Sequence, residues 1–215
     1  SADELYDYYA EIREEDLARR LTAENRARQL ELLEGFERHA TGRKLLDVGC
    51  GDGQLLQTAG DAGWDAMGVD LSEAAIDLCQ KRGLNATCTD FFSDSLDEER
   101  FDVIVMSELI EHVPEPQRFM KRAAELLRPR GILYLTTPNF GSLARRALGE
   151  SWSVVHPEHI GYFEKATLRA MACDGAGLRE VRIDANNISP STIVAWLKRG
   201  KRRAKVSIAE EHRSM

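Results

Sequence analysis

No apolar run in the 215 residues approaches the roughly 20 needed to cross a bilayer, so no membrane span is expected. Cysteine is scarce: Cys50, Cys79, Cys88 and Cys173 are the only four, and no two form a C-x-x-C pair. That spacing argues against a disulfide framework and for free thiols in a reducing compartment. No base lies near any of them in sequence, so none reads as an activated nucleophile. Basic charge is also short, with 29 Lys and Arg against 36 Asp and Glu and a net charge of −7. A generally basic surface for nucleic acid is therefore not expected. The opening Ser1-Ala2-Asp3-Glu4 has neither the basic start nor the apolar segment of a signal peptide, which points to a cytoplasmic protein. Internal repeats and low-complexity segments are absent.

What is present is a patterned α/β chain. Hydrophobic residues at 43% and charged residues at 30% describe an ordinary globular protein. Apolar runs alternate with helical patterns from residue 44 onward. Strands are expected at Lys44–Val48, Ala66–Val69, Ala86–Thr89, Phe101–Met106, Ile132–Thr136 and Leu178–Asp184. The fourth is a continuous apolar run, as a strand buried on both faces requires. Helices are expected over 53–62, from the Ser72 cap to Lys81, over 115–128 up to Pro129-Arg130-Gly131, and over about 164–175. Repeated βα units with short connections predict a doubly wound, mostly parallel sheet.

Residues 1–39 are helical in pattern and highly charged. Their aromatic cluster Tyr6-Tyr8-Tyr9 could close over a ligand as a lid or substrate cap, while Leu17, Leu30, Leu33 and Phe36 could simply pack on the core. A core over 40–185 and a tail over 186–215 complete the division. The tail holds a possible helix at 191–199 and the basic run Lys198-Arg199-Gly200-Lys201-Arg202-Arg203.

The densest signal is Leu45-Leu46-Asp47-Val48-Gly49-Cys50-Gly51-Asp52-Gly53, an apolar strand running through a carboxylate into alternating glycines. Such a turn brings backbone N–H groups against a nucleotide-like ligand. A dinucleotide fingerprint, G-x-G-x-x-G, would need glycine at 54, where the chain has Gln54. Strand two ends in Asp70-Leu71, and a carboxylate there can accept both hydroxyl hydrogens of a ribose. Strand three ends in Asp90-Phe91-Phe92, a carboxylate beside an aromatic that could pack on a base. Strand four delivers Met106, Ser107 and Glu108 to the same edge.

These motifs, with Leu126-Leu127-Arg128-Pro129-Arg130-Gly131 before strand five, resemble those of the class I S-adenosylmethionine-dependent methyltransferases over about residues 40–185. The resemblance implies a Rossmann-like sheet of seven strands, or six in this chain, since no tail segment reads as the family's antiparallel seventh. The tail then reads as truncated or divergent. S-adenosyl-L-methionine is the implied cofactor, bound by Asp47, Gly49, Cys50, Gly51, Gly53, Asp70, Leu71, Asp90, Phe91, Ser107 and Glu108.

After strand four comes Ser107-Glu108-Leu109-Ile110-Glu111-His112. Glu108, Glu111 and His112 stand at i, i+3, i+4 and would share a face on a helical turn. Later, His156-Pro157-Glu158-His159-Ile160-Gly161-Tyr162-Phe163 puts two of the five histidines in one tetrapeptide. The E-x-x-E-H pattern resembles the ubiquinone-biosynthesis O-methyltransferases and the small-RNA 3′-terminal 2′-O-methyltransferases. Both resemblances imply an acceptor with neighbouring hydroxyls. The H-P-E-H-I-x-Y-F segment is similar to methyltransferases of sugar, glycan and natural-product pathways. The expectation is O-methylation of a small-molecule or glycan hydroxyl. His112 and His159 are candidate bases, supported by Glu111. Alternatively Glu108, Glu111, His112 and His159 hold a divalent cation such as Mg, which can acidify a vicinal diol. The acidic body disfavours the RNA branch. N- or C-methylation and a non-catalytic cofactor-binding domain are the other readings.

Overall fold

The computed structural model describes residues 22–149, 152, 154–155, 157–180 and 182. Tyr6, Tyr8, Tyr9, His156 and the tail from 186 lie outside them. The chain divides into two compact units. One comprises residues up to Leu109 with Arg122–Thr136; the other comprises Ile110–Lys121 and the chain from Thr137.

The first unit is a βα array. Helix α1 (Ala23–Glu37) starts where the Thr22 hydroxyl accepts from Asn25 N–H. Next come β1 (Lys44–Val48), α2 (Gln54–Asp61), β2 (Asp65–Asp70), α3 (Glu73–Lys81) and β3 (Ala86–Cys88). Strand β4 (Phe101–Ser107) follows, then the last turns of α4 (Pro116–Leu126) and β5 (Leu127–Thr136). Five parallel strands stand in the order β3-β2-β1-β4-β5. The order reverses between β1 and β4. In open α/β sheets that reversal leaves a crevice beyond the strands' C-terminal ends, where ligands bind.

The strands form where the apolar runs lie. Leu45 and Leu46 of β1 and Val103, Ile104 and Val105 of β4 are fully buried. Helix α1 adds Leu33 and Phe36 to a core with Leu45, Leu55, Trp64 and Val105. Phe36 meets Trp64 and Tyr134 edge-on, with ring centroids 6.2 and 5.5 Å apart. The described part of the N-terminal segment is thus core packing.

The start of β5 departs from the sequence expectation. Pro129-Arg130-Gly131 does not separate helix from strand. Leu127 already pairs with Phe101, and the register slips before Val103 pairs with Ile132. With Arg128 the three residues form a bulge within the strand, four residues opposite Asp102, with Arg130 at φ +69°. An ion pair between buried Asp102 and exposed Arg128 fixes this edge: Asp102 accepts from Arg128 Nη1 at 2.7 Å and from the Lys44 N–H at 2.9 Å. The expected sixth strand is also absent where it can be seen. Residues 178–180 and 182 form no strand, and 181 and 183–184 lie outside the described residues.

The second unit holds a 3-10 turn (Ile110–His112), the first turns of α4, α5 (Leu143–Leu148) and α6 (Lys165–Arg169), which continues as a π turn over Ala170–Gly175. Gln117 of α4 donates to the Met171 carbonyl at 3.0 Å. Asn139 bridges to Phe163, and Trp152 and Val154 pack with Phe140 and Tyr162. No described helix is long and apolar enough to cross a membrane.

Candidate functional site

The glycine turn closes β1 against the end of β2. Gly49 and Cys50 N–H groups both donate to the Val69 carbonyl, at 2.8 and 3.2 Å. Gly51 N–H donates to Asp70 Oδ2 at 2.9 Å, and Gly53 N–H to the Cys50 carbonyl at 3.0 Å. All three glycines have positive φ, +74°, +52° and +73°. Gly53 is also closely packed. A Cβ there would lie 2.7 Å from Cys79 Sγ and 2.8 Å from Leu84 Cδ1. Gly53→Ala therefore meets both a steric clash and a left-handed backbone. It is expected to lower the melting temperature, and an unchanged melting temperature would contradict this.

Three carboxylates mark the strand ends. Asp47 is paired on both sides, with Gly68 of β2 and Val105 of β4, and is 5% exposed. Burial first, and then the negative charge of Asp70, raise its carboxyl to about 7. Asp70 accepts from two backbone donors, Gly51 N–H and Ser72 N–H, both at 2.9 Å. Asp90 Oδ1 accepts from Phe92 N–H at 2.8 Å, an Asx turn that starts the segment after β3. Of the neighbouring apolar residues, Leu71 is 73% exposed, Phe91 is buried and Phe92 is half-buried against it. Ser107 is exposed at the tip of β4, and Glu108 N–H donates to Thr136 O and Oγ1, both at 3.1 Å.

Helix α3 supplies residues that sequence reasoning passed over. Cys79 Sγ–H donates to the Gly51 carbonyl at 3.3 Å, and Arg82 Nη1 donates to the Asp52 carbonyl at 2.6 Å. Cys79 and Arg82 stand three apart, so the signal was available as an i, i+3 pair behind the Ser72 cap. The neighbouring Cys79 thiol, and after it burial, push the Cys50 thiol far up. It stays protonated and is no nucleophile.

In the second unit Glu111, His112 and His159 come together, each offering one ligand atom, all within 4.8 Å of one another. Glu111 and His159 are buried and His112 is exposed. The Nδ1 of His112 lies 3.0 Å from the Glu158 carbonyl, and that of His159 lies 2.8 Å from the Val154 carbonyl. A carbonyl accepts only, so each ring carries its proton on Nδ1 and Nε2 is the basic nitrogen. The rings meet edge-on at 4.7 Å. Glu108 is not one of this group. It sits at φ +49°, and the turn that carries Glu111 and His112 is a 3-10 turn beginning at Ile110. The helical face expected to join it to Glu111 and His112 does not form.

A family model described as a methyltransferase domain matches residues 9–182. The chain belongs to the S-adenosylmethionine-dependent methyltransferases. The ubiquinone biosynthesis O-methyltransferase of Actinobacillus pleuropneumoniae is 30% identical over 173 residues, covering 73% of this methyltransferase and 74% of that protein. The enzyme of the same name from Coxiella burnetii is 41% identical over 104 residues, covering 46% of this chain. The chain spans 44% of the length of that relative. A methyltransferase of Archaeoglobus fulgidus has the same fold, with a TM-score of 0.59 at 22% identity over 78% of this chain and 81% of that one. The methyltransferase sheet described above is therefore the family's Rossmann-like sheet, seen here with five strands among the described residues.

Proposed function

We propose that this methyltransferase moves the methyl group of S-adenosyl-L-methionine to a hydroxyl oxygen of a small molecule carrying neighbouring hydroxyls. The observation that carries this reading is the Glu111–His112–His159 group, in which both imidazoles are held as Nε2 bases by backbone carbonyls. It is supported by relatives named ubiquinone biosynthesis O-methyltransferase.

The glycine turn takes the methionine part of the cofactor, Asp70 its ribose hydroxyls and Asp90 its adenine amino group. Asp47 faces the ammonium. His112, the exposed member of its group, accepts the hydroxyl proton at Nε2. The oxygen attacks the methyl carbon, the carbon–sulfur bond breaks, and S-adenosylhomocysteine leaves. Glu111 and His159 favour the imidazolium that forms. The three residues also fit a divalent cation, which would supply Lewis acidity to a chelated diol. Two imidazoles and one carboxylate suit Mn, Fe or Zn better than Mg. The free thiols of Cys50, Cys79, Cys88 and Cys173 fit a reducing cytoplasm.

Asp47 makes cofactor binding pH-dependent. Its carboxyl lies at about 7 in the folded chain against 3.8 ordinarily, so folding favours the protonated form. The resulting stabilisation is full below pH 4 and is lost as pH rises to 7. The ammonium group of the ligand favours the carboxylate, so binding expels the proton. The affinity for S-adenosylhomocysteine should fall roughly tenfold between pH 8 and pH 6, and the fall should disappear in Asp47→Asn. A pH-independent affinity in the wild type would contradict the assignment.

The acceptor reading is tested with trideuteromethyl cofactor and a paired panel of aromatic compounds. The expected product is a mono-O-methyl ether of 3,4-dihydroxybenzoate, formed much faster than that of 4-hydroxybenzoate. Label found only on nitrogen or carbon acceptors would overturn it.

A further inference from the structure

Arg122, on the last turns of α4, has no role in the scheme above. Yet most of its guanidinium donors are committed to one segment. Nε donates to the Phe91 carbonyl at 3.4 Å, and Nη2 donates to the Ser93 carbonyl at 3.2 Å. Nη2 also meets Asp97 Oδ1 at 2.6 Å. The Arg122 side chain is only 13% exposed. The segment it grips is the one that follows β3. Asp90 Oδ1 accepts from Phe92 N–H, Ser93 N–H donates to the Asp90 carbonyl, and Ser93 caps a 3-10 turn over Asp94–Leu96. Leu96 is fully buried and pins the far end.

The geometry points to Arg122 as a positioning residue for recognition of the purine amino group. By holding the carbonyls of Phe91 and Ser93, the fork turns the intervening Phe92 N–H back toward Asp90. That bond fixes the carboxylate on its Oδ1 side and presents Oδ2 to a ligand donor. A lysine could meet Asp97 but could not hold the two carbonyls at once, because its single ammonium lacks the planar fork. The inference rests on the assignment of Asp90 to the adenine.

The test compares two ligands by calorimetry. S-adenosylhomocysteine carries an amino donor at purine C6; S-inosylhomocysteine carries a carbonyl there. Wild-type protein should prefer the first by about tenfold or more, the worth of one hydrogen bond to a charged acceptor. Arg122→Gln should lose most of that preference, while its affinity for S-inosylhomocysteine stays within about threefold of wild type. Arg122→Lys should restore little of it. In an Asp90→Ala background, Arg122→Gln should have no further effect on the preference. Should Arg122→Gln not fold, Asp97→Asn replaces it, with a smaller loss of preference expected. A folded Arg122→Gln that keeps the wild-type preference overturns the inference. So does an equal loss for both ligands, which would mean general loosening. A wild type that binds S-adenosylhomocysteine without any preference would instead overturn the assignment of Asp90.

Discussion

Asp70→Ala should weaken S-adenosylhomocysteine binding by about 100-fold or more, the largest loss from any single strand-end substitution. Two causes add. A carboxylate that accepts both ribose hydroxyls contributes about 1.5–3 kcal/mol per charge-assisted bond. The same carboxylate also accepts from Gly51 N–H and Ser72 N–H, so its loss releases the middle of the glycine turn and the entry to α3. Asp70→Asn keeps an acceptor oxygen and should fall between wild type and Ala. A further sign distinguishes this from unfolding. Asp70 is one of the two causes that raise Asp47, so its removal should move the pH dependence of residual binding to lower pH. Calorimetry across pH reads both effects. A change within about threefold in Asp70→Ala would contradict the role.

His112→Ala should lower kcat toward 3,4-dihydroxybenzoate by about 10²–10⁴, the usual worth of a positioned general base. The affinity for S-adenosylhomocysteine should stay within about threefold, because His112 belongs to the group with Glu111 and His159 and not to the glycine turn. His159→Ala should reduce kcat less if the base is His112, since His159 is buried and supports it. Exhaustive chelation separates the base from a cation. Activity lost on chelation and restored by Mn would assign the group to a metal. Full activity in both His112→Ala and the chelated wild type would remove both roles.

Much of the fold was legible because strand and turn chemistry are local. The β1 and β4 runs are apolar enough to be buried on both faces, and Asp47, Asp70 and Asp90, the carboxylates proposed for the cofactor, stand within two residues of the C-terminal ends of their strands. Gly49, Gly51 and Gly53 are readable because each has a left-handed backbone, which favours glycine locally; the Cys79 and Leu84 contacts that further exclude a side chain at Gly53 are not. The misses come from geometry that spacing does not encode. Glu108 matched a helical i, i+3, i+4 pattern, but the chain enters a left-handed conformation at that residue and tightens into a 3-10 turn after it. Pro129-Arg130-Gly131 looked like a helix stop; the pairing of Leu127 with Phe101 makes it a bulge. Arg122 is invisible in the sequence because the carbonyls it holds, those of Phe91 and Ser93, lie 31 and 29 residues away. That His156 or His159 could meet the Glu111–His112 segment follows from the sequence only in outline, because loops after strands four and five leave the same edge of the sheet. The joining of His159 has a tertiary cause: Gly161 N–H donates to the Glu111 carbonyl at 3.0 Å and brings the two segments together.

Asp47, the glycine turn, Asp70 and Asp90 are proposed here to form a binding site for S-adenosyl-L-methionine. Titration of the wild-type protein with S-adenosylhomocysteine in a calorimeter at pH 8 tests it directly. One molecule per chain should bind with saturable heat, and that heat should vanish from Gly53→Ala and fall sharply in Asp70→Ala. No detectable binding by folded wild-type protein would contradict the account.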